Sequence, residues 1–378
     1  RTPGMKVSTS LEVLDMKNLK LMSAVLFAVV LSSGAAFAFH DGGVADCAGC
    51  HTMHNSQDGI AVTPDGDSHA YLLKAANSTD ACLLCHAGYG QFADGFGYGP
   101  GGDFYWVTQT WSWSAHGRPF ESPGDSHGHN VISPGYGIAE DATLANAPGG
   151  DFLSARLTCT SCHDPHGNQN FRILYDDTMG PIYNGSRYDF DSAAPLALGN
   201  SRKTIGSDGE ETDSHHTVYK NGMSDWCANC HETLHSDNTI EFVHPTQQGL
   251  GSQVAGIYNN YVSSDDLISG TQATAYWGLV PFEDVDADLG LVDPGNYTRG
   301  PDSNDQVMCV SCHRAHATPF DDIARWDMGE TFIADSHPQD GEGSVDDVAN
   351  KYYNYTFVQN QRSLCNKCHA KDAGDAPY

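Results

Sequence analysis

The sequence predicts one unit of irregular coil and turns, with a few short helices and little strand, wrapped around groups that are not amino acid side chains. Its composition carries the first half of this prediction. Of 378 residues, 48 are Asp or Glu, 19 are Lys or Arg and 40 are Gly, and the net charge is −29. Leu, Ile, Val and Phe make up fewer than one in five of residues 39–378. Such a chain cannot bury enough apolar surface to fold unaided, so something else must supply the interior.

The cysteines indicate what that interior is, because all twelve fall in one pattern, C-x-x-C-H. In chain order, motifs 1 to 6 are Cys47, Cys50 and His51; Cys82, Cys85 and His86; Cys159, Cys162 and His163; Cys227, Cys230 and His231; Cys309, Cys312 and His313; and Cys365, Cys368 and His369. This pattern attaches c-type haem: both thiols bond to the porphyrin edge, and the histidine becomes the proximal ligand of the iron. Zinc sites and disulfide scaffolds do not require histidine at the same place in every pair. We therefore expect six covalently attached haem c groups, whose apolar faces form the interior.

The fold class that follows is a multihaem cytochrome c, wrapped around a continuous stack of haems. Helical periodicity is confined to short windows, such as 68–77 and 253–268, so we expect far less than the usual third of residues in helix. The motifs show no fixed period, although they can be grouped as pairs 1–2, 3–4 and 5–6. Polar loops are expected around 87–150, 176–215 and 325–350.

Residues 16–38 have the three parts of a secretory signal peptide. Met16–Lys20 is basic, Leu21–Leu31 is mostly apolar, and Ala36–Ala38 is a small-residue cleavage site. The apolar run is about half the length of a membrane span, and no other run approaches it. We expect residues 1–15 to lie upstream of the true start and 39–378 to form the mature, exported unit without a membrane span. The strong negative charge excludes nucleic acid as a partner.

Histidine is abundant enough to provide both axial ligands of every iron. Of 19 histidines, six are proximal and thirteen remain, whereas methionines are few and rank second as ligands. Four of the thirteen follow a motif by three or four residues. Such a histidine cannot reach its own iron but can bind a neighbouring one, which would hold two haems close together. The candidate distal ligands are His54, His129, His166, His235, His244 and His316.

Other histidines have weaker cases as ligands. His69 lies on the predicted helix over 68–77 and is the first reserve. His127, His215 and His216 lie in loops rich in Ser, Asp and Gly, which favours exposure to solvent.

Residues 39–56 carry a family resemblance. Phe39-His40, Gly42–Ala45 and Cys47–Ser56 resemble the mature N-terminus of the OmcS-type cytochromes, which are extracellular, filament-forming hexahaem proteins of metal-reducing bacteria. Further similar segments are 101–104, 128–131, 159–167, 222–230, 270–273, 281–283, 309–317 and 364–372. The chain departs from the family around 57–81, 170–220 and 325–360, where lengths and residues differ.

The resemblance implies six bis-histidine haems per subunit and head-to-tail polymerisation at the cell surface. In that family, the histidine at the position of His54 binds the fifth haem of the adjacent subunit, which here is held by Cys309, Cys312 and His313. Other outer-surface or periplasmic cytochromes and extracellular electron acceptors are the implied partners.

The leading functional hypothesis is an extracellular electron conduit that turns over no substrate. A multihaem reductase with one open haem is the first alternative, although all six motifs end in His and ligand histidines are in surplus. A monomeric periplasmic electron shuttle is the second alternative, because it shares the redox chemistry and differs only in assembly.

Overall fold

The computed structural model describes residues 47–87, 100–115, 117–199, 211–236, 244–261, 270–336 and 352–369, except 354, 356 and 359. The predicted signal peptide and the histidines at 40, 116 and 337 lie outside these ranges. Within them, coil and turns dominate, helices are short and strands are few, as the sequence predicts. No described helix has the length and apolar character needed to cross a membrane.

The α-helices of the described residues lie at or near the cysteine motifs, or precede motif 5. They are α1 (Cys47–Cys50), α2 (Ser78–His86), α3 (Met223–Ala228), α4 (Glu232–Ser236), α5 (Gly251–Asn260) and α6 (Cys309–Cys312). Helix α2 begins where the Asn77 side chain accepts a hydrogen bond from the Asp80 N–H, so it starts just after the predicted window 68–77. The helix expected over 253–268 is α5.

Short 3₁₀ segments connect these helices. They are Ala70–Leu72, Phe104–Thr108, Gly124–His127, Pro134–Tyr136, Ser154–Arg156, Cys159–Ser161, Phe171–Ile173, Gln272–Thr274, Asp321–Ile323, Ile333–Asp335 and Leu364–Lys367. Motifs 3 and 6 begin in two of them, Cys159–Ser161 and Leu364–Lys367.

Strands form three antiparallel pairs. They are β1 (Trp111–Ala115) with β2 (Arg118–Ser122), β3 (Ile182–Tyr183) with β4 (Ser186–Arg187), and β5 (Leu196–Leu198) with β6 (Val218–Asn221). The turn between β3 and β4 is Asn184-Gly185, both with positive φ (48° and 80°), which is the sequence that tight hairpins favour. Because the strands occur only as pairs, these residues form no sheet that could enclose a core.

The protein interior is aromatic rather than aliphatic. The largest cluster of buried residues includes Tyr258, Tyr261, Trp277, Phe320 and Tyr352, and it contacts one cysteine of motif 5 and both of motif 6. A second cluster, with Phe104, Trp106, Val107, Trp111 and Val131 at its centre, lies in the region predicted to be a polar loop over 87–150. The loop prediction is therefore wrong for this part of the chain, because tryptophan and tyrosine supply the apolar surface that aliphatic residues do not.

Two histidines that were expected in solvent are buried instead. His127 bonds Ser122 Oγ through Nε2 (2.6 Å) and the Trp106 carbonyl through Nδ1 (2.9 Å). His216 stacks on Tyr276 with ring centres 3.4 Å apart, and both of its nitrogens face carbonyl oxygens. The prediction of solvent exposure for these two histidines is wrong, because the composition of a loop does not reveal which aromatic rings cover it. Both side chains have structural partners, so neither is placed as a ligand.

Candidate haem sites

The proximal histidines of motifs 1, 3 and 5 are held by one recurring backbone arrangement. After each of these motifs the chain returns, and the last residue of a three-residue segment forms a β-bridge with the proximal histidine. We call these segments the left-handed hooks: hook 1 is Tyr71–Leu73, hook 2 is Arg172–Leu174 and hook 3 is Asp322–Ala324. The first two residues of every hook have φ between 50° and 57°. Consecutive non-glycine residues are rarely found in this region, so the same unusual turn occurs three times.

Each hook makes the same hydrogen bonds to its motif. The Nδ1 atoms of His51, His163 and His313 lie 2.9, 2.9 and 2.8 Å from the carbonyl oxygens of Tyr71, Arg172 and Asp322. The backbone N–H after each histidine donates to the second hook residue, at 2.7, 2.8 and 3.0 Å. A proton on Nδ1 leaves the lone pair on Nε2, so the hooks orient these imidazoles to bind a metal through Nε2.

Motif 4 uses a glycine turn for the same purpose. His231 Nδ1 lies 2.8 Å from the carbonyl oxygen of Pro148, which belongs to the turn at 147–150. A Cβ on Gly150 would lie 1.9 Å from the carbonyl oxygen of Cys230, so only glycine permits this approach. This turn, at the end of the predicted loop over 87–150, therefore positions a proximal ligand.

Consecutive motifs are joined by a hydroxyl group that precedes the even motif. The Cys159 N–H donates to Thr79 Oγ1 (3.3 Å), and the Cys309 N–H donates to Ser224 Oγ (3.0 Å). Thr79 and Ser224 each lie three residues before the first cysteine of motifs 2 and 4. Motif 2 thus contacts motif 3, and motif 4 contacts motif 5, in equivalent ways.

The thiol pKa values show the same neighbour relations. A hydrogen bond to Cys159 raises the pKa of Cys82, and one to Cys309 raises that of Cys227, with burial adding to both. Burial raises the pKa of Cys162 to about 12, and the Cys230 thiol contributes.

Motif 1 lies beside motif 2, and motif 5 lies beside motif 6, as the thiol pKa values again show. Burial raises the pKa of Cys50, helped by both thiols of motif 2. Burial also raises the pKa of Cys312 to about 12, helped by both thiols of motif 6. Each motif therefore lies beside the next, and the six attachment points follow one another in space in chain order.

Three candidate distal histidines face a proximal histidine. The ring centres are 6.3 Å apart for His316 and His163, 6.0 Å for His129 and His231, and 6.3 Å for His244 and His369. Two imidazoles on opposite sides of one metal ion have ring centres about 6 Å apart, since each metal–nitrogen bond is about 2 Å. The gaps at motifs 3, 4 and 6 therefore fit a haem iron with two histidine ligands.

Two of these distal histidines are mounted on one backbone junction. The His316 N–H donates to the Gly101 carbonyl (2.7 Å), and the His129 N–H donates to the His316 carbonyl (2.9 Å). Gly102 has φ of +85°, and a Cβ there would lie 1.9 Å from the Ala317 carbonyl oxygen. Glycine is thus required where these segments meet, and the junction holds the ligand positions opposite motifs 3 and 4 in one rigid piece.

The same two imidazoles are poised as neutral ligands. Burial lowers the pKa of His129 to about 4 and that of His316 to about 3, and the facing proximal histidine adds to each shift. A neutral imidazole keeps the lone pair that binds iron.

The other candidates are not brought to a proximal histidine within the described residues. His54 and His166 are exposed, and no second imidazole ring contacts His51 or His313 in this part of the chain. The backbone of His235 lies in α4, and its side chain is not among those that the structure describes. His69, the first reserve, contacts Asp65 through Nε2 (3.1 Å).

The sequence reasoning did not find the hooks or the hydroxyl contacts. No residue type is common to all three hooks at any position (Tyr-Leu-Leu, Arg-Ile-Leu and Asp-Ile-Ala), because the feature they all share is backbone conformation. A usable signal was present for the hydroxyl contacts, since Thr or Ser stands three residues before the first cysteine of motifs 2 and 4.

The chain is similar to known cytochromes over nearly its whole length. No family model matches it. It is 35% identical to the C-type cytochrome OmcS of Geobacter sulfurreducens over an alignment of 430 positions, which spans 93% of this chain and 98% of that protein. A cryo-EM structure of the OmcS nanowires and a structure of an outer membrane cytochrome S filament, both from that organism, each superpose with a TM-score of 0.75 at 33% identity. Each covers 88% of this chain and 100% of the filament subunit. This chain therefore belongs to the OmcS family of c-type cytochromes and carries covalently attached haem.

Proposed function

We propose that the protein is an extracellular electron conduit in which six bis-histidine haems per subunit form a continuous chain in a head-to-tail filament. The observation that carries the proposal is the order of the attachment points, since every motif lies beside the next. Closely spaced redox centres in one row suit transfer along the chain rather than reaction with a substrate. The relatives whose structures resemble this chain are named as nanowires and filaments.

A simple rule assigns the distal ligands of the odd motifs. His316 follows motif 5 by three residues and faces motif 3, two motifs earlier. Since motifs 1, 3 and 5 share their hooks, the same step assigns His166, which follows motif 3, to the iron of motif 1. The third member is His54, which follows motif 1. Its target two motifs earlier is motif 5 of a neighbouring subunit.

A second rule covers the even motifs. His129 lies between motifs 2 and 3 and faces motif 4, while His244 lies between motifs 4 and 5 and faces motif 6. The equivalent ligand for motif 2 should precede motif 1, and His40 has that place in the sequence. His40 therefore replaces His235 in the proposed ligand set.

Exposed apolar residues support a subunit contact around motif 1. Met53 is 78% exposed, Ile60 72% and Tyr71 84%, all close to His54 in the chain or in hook 1. The residues that end hooks 2 and 3, Leu174 and Ala324, are buried inside the same chain, whereas Leu73, which ends hook 1, is only half-buried. The first repeat is thus the uncovered end of the series, and a second copy would cover it through a contact that does not close on itself.

The chain itself supplies position, charge and exclusion of water. Haem, when bound, exchanges single electrons. The hooks orient the proximal ligands, the junction at Gly102 fixes two distal ligands, and the largest aromatic cluster keeps water from the attachment points of motifs 5 and 6. With two histidines at each iron, no coordination position is left for a substrate, so turnover is not part of the proposal.

We assign the mature unit to residues 39–378, exported through the periplasm to the cell surface as an extracellular filament. Other outer-surface or periplasmic cytochromes would deliver electrons, and extracellular acceptors would take them. The acidic surface keeps such a secreted protein soluble.

The test of this function is a joint measurement on the secreted protein. We expect six haems per chain by pyridine haemochrome assay, low-spin spectra, and filaments by electron microscopy. Dispersed single molecules with six low-spin haems would favour the periplasmic shuttle. High-spin iron that binds CO or nitrite would favour the reductase.

The ligand rule for motif 3 is tested by His316→Ala. We expect one haem in six to become high-spin and to bind one CO per chain, because only His163 would remain at that iron. The measurement is the ferrous CO difference spectrum, with His69→Ala as the control that should leave it unchanged. An unchanged spectrum in His316→Ala would contradict the assignment.

A further inference from the structure

The C-terminal pair of motifs is surrounded by buried positive charge, which is unusual in a protein of net charge −29. Arg325 is 1% exposed and Lys367 is fully buried. Neither forms an ion pair with a carboxylate among the described residues. Uncompensated buried charges are costly, so their retention points to a task at this place.

Arg325 is bonded directly to motif 5. Its Nε donates to the carbonyl oxygens of Val310 (2.7 Å) and His313 (3.0 Å), and its Nη1 donates to that of Gly278 (3.4 Å). Its Nη2 is buried without a hydrogen-bond partner. A guanidinium group stays protonated in proteins, so Arg325 keeps its charge at neutral pH. A full positive charge therefore lies on the backbone of the proximal ligand.

Lys367 lies within motif 6, between its two cysteines. Its Nζ donates to the carbonyl oxygens of Tyr258 (2.9 Å), Ala275 (2.8 Å) and Tyr261, and it lies 4.0 Å from the centre of the Tyr258 ring. Three carbonyl acceptors match the three N–H donors of an ammonium group, and the ring face also favours a cation. Burial lowers the pKa of Lys367 to about 7, so the charged form prevails below neutral pH. The carboxylate that acts on Lys367 electrostatically is that of Asp213. Its Oδ1 accepts hydrogen bonds from the Gly278 N–H and the Tyr355 hydroxyl rather than from Lys367.

The equivalent positions at motifs 1 and 3 lack such a charge. Arg325 follows hook 3 directly, and its backbone N–H donates to the carbonyl oxygen of Cys312. The residues at the same place after hooks 1 and 2 are Lys74 and Tyr175. Their backbone N–H groups donate to the carbonyl oxygens of Cys50 and Cys162 in the same way. Lys74 is half-buried, where solvent screens its charge, and Tyr175 is neutral. The arrangement is thus repeated three times, and a buried cation occurs only in the third copy.

A buried positive charge beside a haem iron favours its reduced form, because reduction removes one positive charge from the iron. We propose that Arg325 and Lys367 raise the reduction potentials of the haems at motifs 5 and 6 above those of the other four, so that the C-terminal pair holds an electron longest. This inference rests on the proposed function, since it concerns the passage of electrons along the haem chain. Both residues act through the motifs they contact and are positioning residues.

The experiment is a potentiometric titration at pH 6, where Lys367 is protonated, of the full-length, haem-loaded protein, followed by haem absorbance and fitted to six one-electron steps. In Arg325→Gln and Lys367→Gln, we expect the highest potentials to fall by about a tenfold change in the oxidised-to-reduced ratio, equal to 59 mV. Arg325→Lys and Lys367→Arg retain the charge and should stay near wild type. Lys74→Gln is the screened control and should shift the potentials far less.

Two outcomes would overturn the inference: unchanged potentials in both glutamine variants, or equal shifts in the charge-retaining variants, which would indicate altered packing. Tyr175→Lys keeps the test usable if a neutral variant does not fold. It adds a cation at the equivalent place after hook 2 and should raise one of the four lower potentials, and no rise would count against the inference. Haem count and filament images from the same samples report separately on the proposed function.

Discussion

Replacing His54 with alanine is expected to abolish the filament while leaving all six haems attached. In the proposed assembly, the imidazole of His54 is the sixth ligand to the haem at motif 5 of the neighbouring subunit, so each subunit contact contains one coordinate bond. Its loss also leaves one haem in six high-spin. Electron microscopy and the ferric absorption spectrum measure the two effects independently.

Free imidazole separates coordination from assembly in this variant. Added imidazole should restore the low-spin spectrum of His54→Ala, because it can occupy the open position, but it should not restore filaments, because it is not linked to a second chain. His215→Ala removes an imidazole that faces no proximal histidine and should preserve both spectrum and filaments. Intact filaments in His54→Ala would refute the proposed inter-subunit ligand.

The same chain without haem is expected to be unfolded. Domains are stable by only about 5–15 kcal/mol, and the strands of the described residues form isolated pairs that cannot enclose a core. Substituting all twelve cysteines with serine should therefore remove the cooperative thermal transition seen by circular dichroism. A cooperative transition in that variant would show that the aromatic clusters suffice, and the account of the interior would then be wrong.

The position of the missing haem should determine the size of this effect. The double variant Cys47→Ala, Cys50→Ala loses the haem attached to α1. None of the residues of α1 is buried, so we expect a folded protein with five haems. The double variant Cys365→Ala, Cys368→Ala loses the haem whose cysteines pack against the largest aromatic cluster, so we expect a much lower thermal stability. Thermal melts of the two double variants compare these expectations directly.

The attachment chemistry and the fold class could be predicted from the sequence because they depend on local signals. The C-x-x-C-H spacing specifies a haem site within five residues, and the scarcity of aliphatic residues indicates that the interior is not made of them. The placement of α2 was close, since a helix was expected just before motif 2. Its start shifted to Ser78 because the Asn77 side chain provides the cap.

Non-local features could not be predicted in the same way. His316 and His163 face each other although they are far apart in sequence. This arrangement depends on the close contact of Gly101 and Gly102 with the chain segment that follows motif 5. No residue type is common to all three hooks, because their backbone carbonyl groups, rather than their side chains, contact the proximal histidine. The burial of His127 was missed because its cover includes Trp106 and Asp321, which come from different parts of the chain.

The threefold recurrence of the hooks has a consequence for where one polypeptide stops and the next begins. In the proposed filament, the histidines that follow motifs 1, 3 and 5 each bind the iron two motifs earlier by the same step, whether or not a peptide bond joins the two. For these three ligands, the boundary between subunits is arbitrary. A circularly permuted gene product, starting at the third motif and finishing at the second, would preserve these three ligand steps.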